Sequence, residues 1–252
     1  MHLQPYPGAN VTFSNCYDNP VRADSYASLE FANTYYLAFR DLPVLVREQV
    51  TGAKALDFGC GTGRSTRSVR QLGFDTIGID IAPDMIVKAR ELDPDGDYRL
   101  TSPGDFSGLP TRSFDFILSM FPFDNIAGFD VKLGLLRGLA NLLKDSGKLI
   151  NVVSAPEIYL HEWASFTTKD FPENADAKSG DVVRIITTDF PDRTPAVDIL
   201  CTDECYCELY RDAGLEVLAM HNPLATGTEP YTWVSETTIS PWTLYVLQRC
   251  EG

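Results

Sequence analysis

The chain has 252 residues, enough for one large α/β domain with a sizeable core or for a domain carrying a cap. Hydrophobic residues make up 44% and charged residues 22%, the balance of a soluble globular protein, and no apolar run approaches the ~20 residues that span a bilayer. The net charge of −14, from 35 acidic against 21 basic side chains, repels polyanions; it argues against nucleic acid and anionic membrane surfaces as partners and suits a small neutral or cationic ligand.

The opening "MHLQPYPGAN" has neither the basic patch nor the apolar stretch of a secretory signal, so a cytoplasmic protein is expected, as a monomer or homodimer. Residues 1–23 read as irregular. From about residue 24 to 50 the pattern turns helical, as two helices, with Phe31, Tyr35, Leu42, Leu45 and Val46 forming apolar stripes and Pro43 marking a break or a start near Asp41. Strands and helices then alternate. Lys54 to Phe58 is a short buried strand, and Thr62 to Leu72 a helix that Gly73 stops. "DTIGID", residues 75–80, is a second strand, and Pro83 opens a helix with Met85, Ile86, Ala89 and Leu92 on one face. A weak third strand covers 97–101 and a strong fourth, "SFDFILSMF", covers 113–121. A helix over 131–143 and a fifth strand, "GKLINVVS" at 147–154, follow. This alternation predicts parallel βαβ units with right-handed crossovers.

After Ser154 the rhythm breaks. Residues 155–202 hold two β-like runs, "DVVRIITTDF" and "AVDILCT", which read as a hairpin or small antiparallel cap. A helix over 203–213, a strand over 215–220 and a last strand over 242–249 complete the chain. The loop between those two strands exceeds the roughly 15 residues beyond which a loop in a compact domain is usually functional. The six cysteines read as reduced thiols; Cys201, Cys205 and Cys207 lack the paired C-x₂-C or nearby histidines of a zinc site, so no metal is expected.

The chemistry is concentrated in "KALDFGCGTG", residues 54–63, a strand running into a glycine turn. A dinucleotide site wants G-x-G-x-x-G, but here Gly59, Gly61 and Gly63 bring the third glycine one residue early. Asp57, at the strand tip, would repel a pyrophosphate and welcome an ammonium group. S-adenosylmethionine has that ammonium, a sulfonium and no phosphate, and the glycines would let backbone approach its methionine part. Asp80, at the tip of the second strand, can accept both ribose hydroxyls, a feature that serves NAD equally. In "SPGDFSGLP", Asp105 can accept from the adenine amine and the Phe106 N–H can donate to N1, with Ile81 and Met85 placed to sandwich the ring.

These segments, "ALDFGCGTGR", "GIDIAPDMI", "GDFSGLP" and "FDFILSMFPFDNI" in order, resemble the class I S-adenosylmethionine-dependent methyltransferases. The likeness runs over about 50–153, 203–220 and 241–249. It implies a Rossmann-like seven-stranded α/β sheet in the order 3-2-1-4-5-7-6, with the last-numbered strand antiparallel, helices on both faces and a small substrate cap. The division it implies is an N-terminal helical lid, 1–50, and a methyltransferase domain, 51–252, with a cap insertion at about 155–202. It assigns Asp57, Gly59 and Gly61 to the methionine part, Asp80 to the ribose, Asp105 and Phe106 to adenine, and Ser119 and Met120 to the neighbourhood of the sulfonium. Arg40, Tyr26 and Tyr35 are the residues expected to clamp the carboxylate or close the lid. The late segment "NPLATGTEPYTWVSETTISPWTLYVLQ" looks like the C-terminal part of bacterial natural-product methyltransferases, including toxoflavin-type N-methyltransferases.

Methyl transfer from a sulfonium needs alignment and exclusion of water, and only a hydroxyl or an acidic N–H acceptor also needs a base. That gives nitrogen a slight preference over oxygen or sulfur in the small-molecule acceptor, and S-adenosylhomocysteine as the product. Among His2, His161 and His221, His161 in "YLHEW" is the one placed in the cap; Asp124, in "FPFDNI", is the second candidate proton-handling residue or a group that orients a substrate N–H or cation. Tyr35, Phe123, Trp163 and Trp233 are expected among the aromatics of the substrate pocket. A non-catalytic adenosylmethionine-binding module and an NAD-dependent oxidoreductase stand as alternatives. The acidic balance and the missing N-P-P-Y-type signature weigh against nucleic-acid methylation.

Overall fold

The centre of the fold is a strand buried on both faces. In a computed structural model that describes residues 32–189 and 191–250, β1, Lys54–Phe58, lies parallel to β2, Asp75–Asp80, on one side and β4, Phe114–Met120, on the other. All seven residues of β4 are buried, as expected of a central parallel strand covered on both faces. With β3, Asp97–Leu100, β5, Leu143–Ser154, β9, Leu215–His221, and β10, Trp242–Arg249, these strands form one sheet in the order β3-β2-β1-β4-β5-β10-β9. Strand β10 runs antiparallel to both its neighbours. With the cap strands set aside, this is the 3-2-1-4-5-7-6 order expected from the sequence.

Two cores flank the sheet. On one face, α1, Thr34–Arg40, α2, Leu42–Gln49, and α3, Arg64–Gln71, bury Leu37, Leu42, Val46 and Val69 against Phe116, Leu118 and Ile150. On the other, α6, Phe129–Leu142, and α7, Asp203–Asp212, bury Leu136, Leu139, Tyr206 and Tyr210 against Ile117, Leu149 and Leu247. Each fully buried leucine contributes roughly 2–3 kcal/mol by removal from water. Between β2 and β3 runs α4, Pro83–Leu92, with Met85, Ile86 and Ala89 inward.

Three features differ from expectation. A four-residue helix, α5, Pro122–Asn125, follows β4 directly, its entry made by Phe121 at φ 71. Strand β5 begins at Leu143, because a register irregularity between Phe114 and Phe116 lets pairing with β4 start earlier. The cap has three strands rather than two: β6, Phe166–Thr167, β7, Val182–Thr187, and β8, Ala196–Ile199, in the antiparallel order β6-β7-β8.

One carboxylate fastens the three segments outside the sheet. Glu236, in the loop between β9 and β10, is fully buried. Its Oε1 accepts from Thr34 Oγ1 at 2.6 Å and from the Ala164 N–H at 2.7 Å; its Oε2 accepts from the Val234 and Ser235 N–H groups at 2.8 and 3.1 Å. The first helix, the cap and the late loop are thereby held to one point. Among the described residues no helix is long and apolar enough to cross a membrane.

Candidate functional site

At the carboxyl ends of β1, β2 and β4 lies a cavity of about 610 Å³, where open parallel sheets bind their ligands. Its floor is the glycine turn. Gly59, Gly61 and Gly63 have φ of 71, 52 and 82, a backbone that L side chains rarely adopt. A Cβ on Gly63 would stand 2.6 Å from the Tyr98 hydroxyl, whereas one on Gly61 would meet open space, so Gly61 offers bare backbone to whatever enters.

Asp80 faces the same space. Its Oδ2 accepts from the Gly61 N–H at 2.8 Å and its Oδ1 from the Ala82 N–H at 2.9 Å, which locks the carboxylate and leaves each oxygen a lone pair. Burial pushes its carboxyl above the usual range, opposed by those backbone donors. Ile81, Met85, Asp105 and Phe106 line the neighbouring wall. Asp105 Oδ1 accepts from the Ser107 N–H at 2.9 Å, and the Phe106 ring packs on Phe58 and into the space that the missing side chain of Gly138 leaves.

Asp57 is placed differently from expectation. Its carboxylate turns under the turn, where Oδ2 accepts from the Ser65 and Thr66 hydroxyls at 2.6 Å each, and it is absent from the cavity lining. Burial raises its carboxyl to about 6. It braces the start of α3 and does not touch the cavity. The expected clamp, Arg40, is likewise elsewhere: its guanidinium binds Asp41, Glu229 and the Leu224 carbonyl, tying α1 to the late loop. Among the described residues, the cation on the cavity wall is Arg64, at the start of α3, its guanidinium 5.1 Å from the ring centroids of both Tyr35 and Phe39. Tyr26 lies outside the described residues.

The far end is aromatic and acidic. Tyr35, Phe121, Phe166 and Trp242 form one ring cluster on the lining, with Phe121 and Trp242 centroids 4.7 Å apart and Tyr35 stacked on Trp242 at 5.8 Å. Met120 lines the cavity, but Ser119 does not; successive residues of a strand face opposite ways, and Ser119 Oγ is buried on the other face without a partner. Phe123 has turned into the core beside Phe58. Trp163 is packed in the other core with its indole donating to the Ile158 carbonyl at 2.8 Å, and Trp233 is held by Glu229 and Tyr231. None of these three lines the cavity.

Among the described residues no histidine is on the lining. His161 sits edge-on to Trp163, and His221 pairs with Asp41 at 2.7 Å. Asp124 does line it. Its carboxylate accepts from the Ser154 N–H at 3.1 Å and Ser154 Oγ at 2.8 Å. Burial, reinforced by the Asp198 carboxylate, pushes Asp124 up to about 7, against the pull of Ser154 and Lys132. Sequence reasoning missed Arg64, Phe39, Phe121, Trp242 and Asp198; for Arg64 the available signal was its place directly after the turn. Among the described residues no cluster of metal-binding side chains occurs.

A strand-and-turn cradle of bare backbone, an acid locked at the next strand tip and an apolar chamber beyond them share one cavity at the carboxyl ends of the central strands. Residues 56–151 match the family model described as "Methyltransferase domain". The ubiquinone biosynthesis O-methyltransferase of Xanthomonas oryzae pv. oryzae is 34% identical over 110 residues, 42% of this chain and 45% of that protein; the chain thus matches less than half the length of this curated relative. In fold, the chain is similar to an S-adenosylmethionine-dependent methyltransferase of Clostridium acetobutylicum, with a TM-score of 0.60 at 12% identity over 90% of this chain and 95% of that one. A second similar structure, an S-adenosylmethionine-dependent methyltransferase of Mesorhizobium loti, has a TM-score of 0.59 at 19% identity over 83% and 97%. Residues 56–151 thus match a methyltransferase domain, and the chain has the fold of these S-adenosylmethionine-dependent methyltransferases.

Proposed function

We propose that the protein transfers a methyl group from S-adenosylmethionine to a small, largely apolar acceptor bearing an N–H or O–H, under a lid formed by residues 1–50 and a cap formed by about 155–202. The observation that carries this reading is a single cavity that runs from Gly61 and Asp80 at one end to the aromatic cluster and Asp124 at the other. The open space at Gly61 and the lone pairs of Asp80 fit a cofactor with a vicinal diol that lies close to bare backbone, and Arg64 beside them suits a carboxylate. Bound there, the cofactor supplies an activated methyl on a sulfonium, so the chain's own work is alignment and exclusion of water. Gly61 and Asp80 hold the ribose side, Ile81, Met85, Asp105 and Phe106 hold adenine, and Met120 lies toward the reacting end.

A carboxyl at the acceptor end removes the sequence-based ground for preferring nitrogen, because a hydroxyl finds its proton acceptor in Asp124. The name of the curated relative, an O-methyltransferase, favours oxygen as the first class to try. In a thermal-shift series, S-adenosylhomocysteine is expected to raise Tm and NAD to leave it unchanged; stabilisation by NAD alone would reverse the reading. Methylation of a panel of phenols and aromatic amines then identifies the acceptor atom.

Arg64 is assigned to the cofactor's carboxylate. Arg64→Met is expected to weaken S-adenosylhomocysteine about tenfold in calorimetry, the order of one charge-assisted hydrogen bond. 5′-Methylthioadenosine, which lacks the amino-acid part, should bind both forms alike. Equal losses for the two ligands would place Arg64 elsewhere.

A further inference from the structure

Two carboxylates from different parts of the fold meet at the acceptor end of the cavity. Asp124 comes from α5, where the core sheet ends; Asp198 comes from β8 of the cap. Both are buried and both line the cavity. Their supports are separate. Ser154 donates twice to Asp124, whereas Asp198 Oδ2 accepts from the Tyr159 hydroxyl at 3.0 Å and Oδ1 from the side-chain amide of Asn125. Asn125 is the residue after Asp124, so this amide ties the cap acid to the segment that carries the core acid.

We propose that Asp198 is a positioning residue for Asp124: held by Tyr159 and Asn125, it turns Asp124 into the proton acceptor for a molecule that enters neutral and aims an N–H or O–H at the two carboxylates. The proposal rests on the methyl-transfer reading above. In the step, the acceptor's N–H or O–H bond breaks, its proton goes to an Asp124 oxygen and its electron pair stays on the acceptor atom. That atom bonds the methyl carbon while the carbon–sulfur pair returns to sulfur. An ordinary exposed carboxylate is too weak a base for this at neutral pH, and a buried one beside a like charge is stronger.

The charges around Asp124 support that balance. Asp198 faces it from β8, Lys132 from α6, Ser154 from β5, Tyr159 from the turn after β5, and Cys201, Tyr206 and Tyr210 from the segment around α7. Lys132 is the one cation among these. It is itself buried, is pushed down by desolvation and donates to the Phe123 carbonyl. Asp198 therefore outweighs it, and burial adds to the same side.

The test reads the carboxyl groups directly and needs no acceptor. The full chain is labelled with ¹³C at the aspartate side-chain carboxyls and titrated by NMR, with Asp124→Asn identifying the signal and melting curves reporting the fold. The wild-type signal is expected to titrate near neutrality. In Asp198→Asn it should fall by about one unit or more, as removal of a close like charge requires. Tyr159→Phe takes a donor from Asp198, makes its ionised form less stable and so should also shift the Asp124 signal; it decides the matter if Asp198→Asn does not fold. An Asp124 signal that titrates in the ordinary carboxylate range, or that neither variant moves, overturns the proposal. Calorimetry with S-adenosylhomocysteine on the same samples separates that failure from failure of the methyltransferase reading.

Discussion

Asp80→Ala is expected to weaken S-adenosylhomocysteine binding by about 100-fold, close to 3 kcal/mol, the order of two hydrogen bonds to a carboxylate after the cost of desolvation. The magnitude follows from how the side chain is prepared. Gly61 and Ala82 each donate one N–H, at 2.8 and 2.9 Å, and these fix the plane of the carboxylate before any ligand arrives. A vicinal diol then meets two aligned acceptors with little further ordering. Asp80→Asn keeps the shape but swaps one acceptor for a donor, and about a tenfold loss is expected from a single misplaced hydrogen bond. The alanine variant also strips the Gly61 N–H of its partner, so circular dichroism and a melting curve accompany the calorimetry. Unchanged affinity in a folded Asp80→Ala protein would remove ribose recognition from this residue.

How far the sequence disclosed this site depended on how the site is assembled. The turn from Asp57 to Gly63 is contiguous, so its glycine spacing and the acid at the next strand tip could be read together. The strands β1, β2 and β10 follow their sequence boundaries closely because central strands are continuous apolar runs ended by polar or turn residues. The acceptor end is different. Phe121, Phe166, Asp198 and Trp242 come from four distant stretches, and no local pattern marks a cap residue such as Asp198 as facing a core residue such as Asp124. Charged residues were the least legible: Arg40 and Arg64 carry the same chemistry, and only their partners decide which one lines the cavity. Arg40 is taken by Asp41 and Glu229, and Arg64 is laid over two aromatic rings. Ser119 and Phe123 were misplaced for a geometric reason. Side chains alternate faces to the end of β4, and α5 then turns the chain at once, so neighbours in sequence separate into cavity and core.

The largest stability loss is expected at a residue that touches no ligand. Glu236→Ala leaves the Thr34 hydroxyl without its acceptor in a buried place, and the N–H groups of Ala164, Val234 and Ser235 without theirs where they are part-buried. At about 1–3 kcal/mol for the buried hydroxyl and less for each part-buried N–H that water can reach, the total is roughly 3 kcal/mol, a large fraction of the stability of an ordinary domain. Glutamine is no remedy. Each Glu236 oxygen accepts two hydrogen bonds, so an amide nitrogen in either position points its own protons at donors, and about 2 kcal/mol should still be lost. The loss reaches the cavity through α1. Thr34 also accepts from the Ser165 N–H at its hydroxyl, at 2.9 Å, and from the Trp242 indole at its carbonyl, at 2.8 Å; Tyr35 beside it stacks on Trp242. Urea unfolding of Glu236→Gln should therefore show a reduced midpoint at an unchanged slope, and the folded variant should bind S-adenosylhomocysteine more weakly than wild type because the wall that carries Tyr35 is loosened. A Glu236→Ala protein with wild-type stability would mean that water or the loop itself replaces all four contacts, and that the helix, cap and loop are held together by their apolar packing alone.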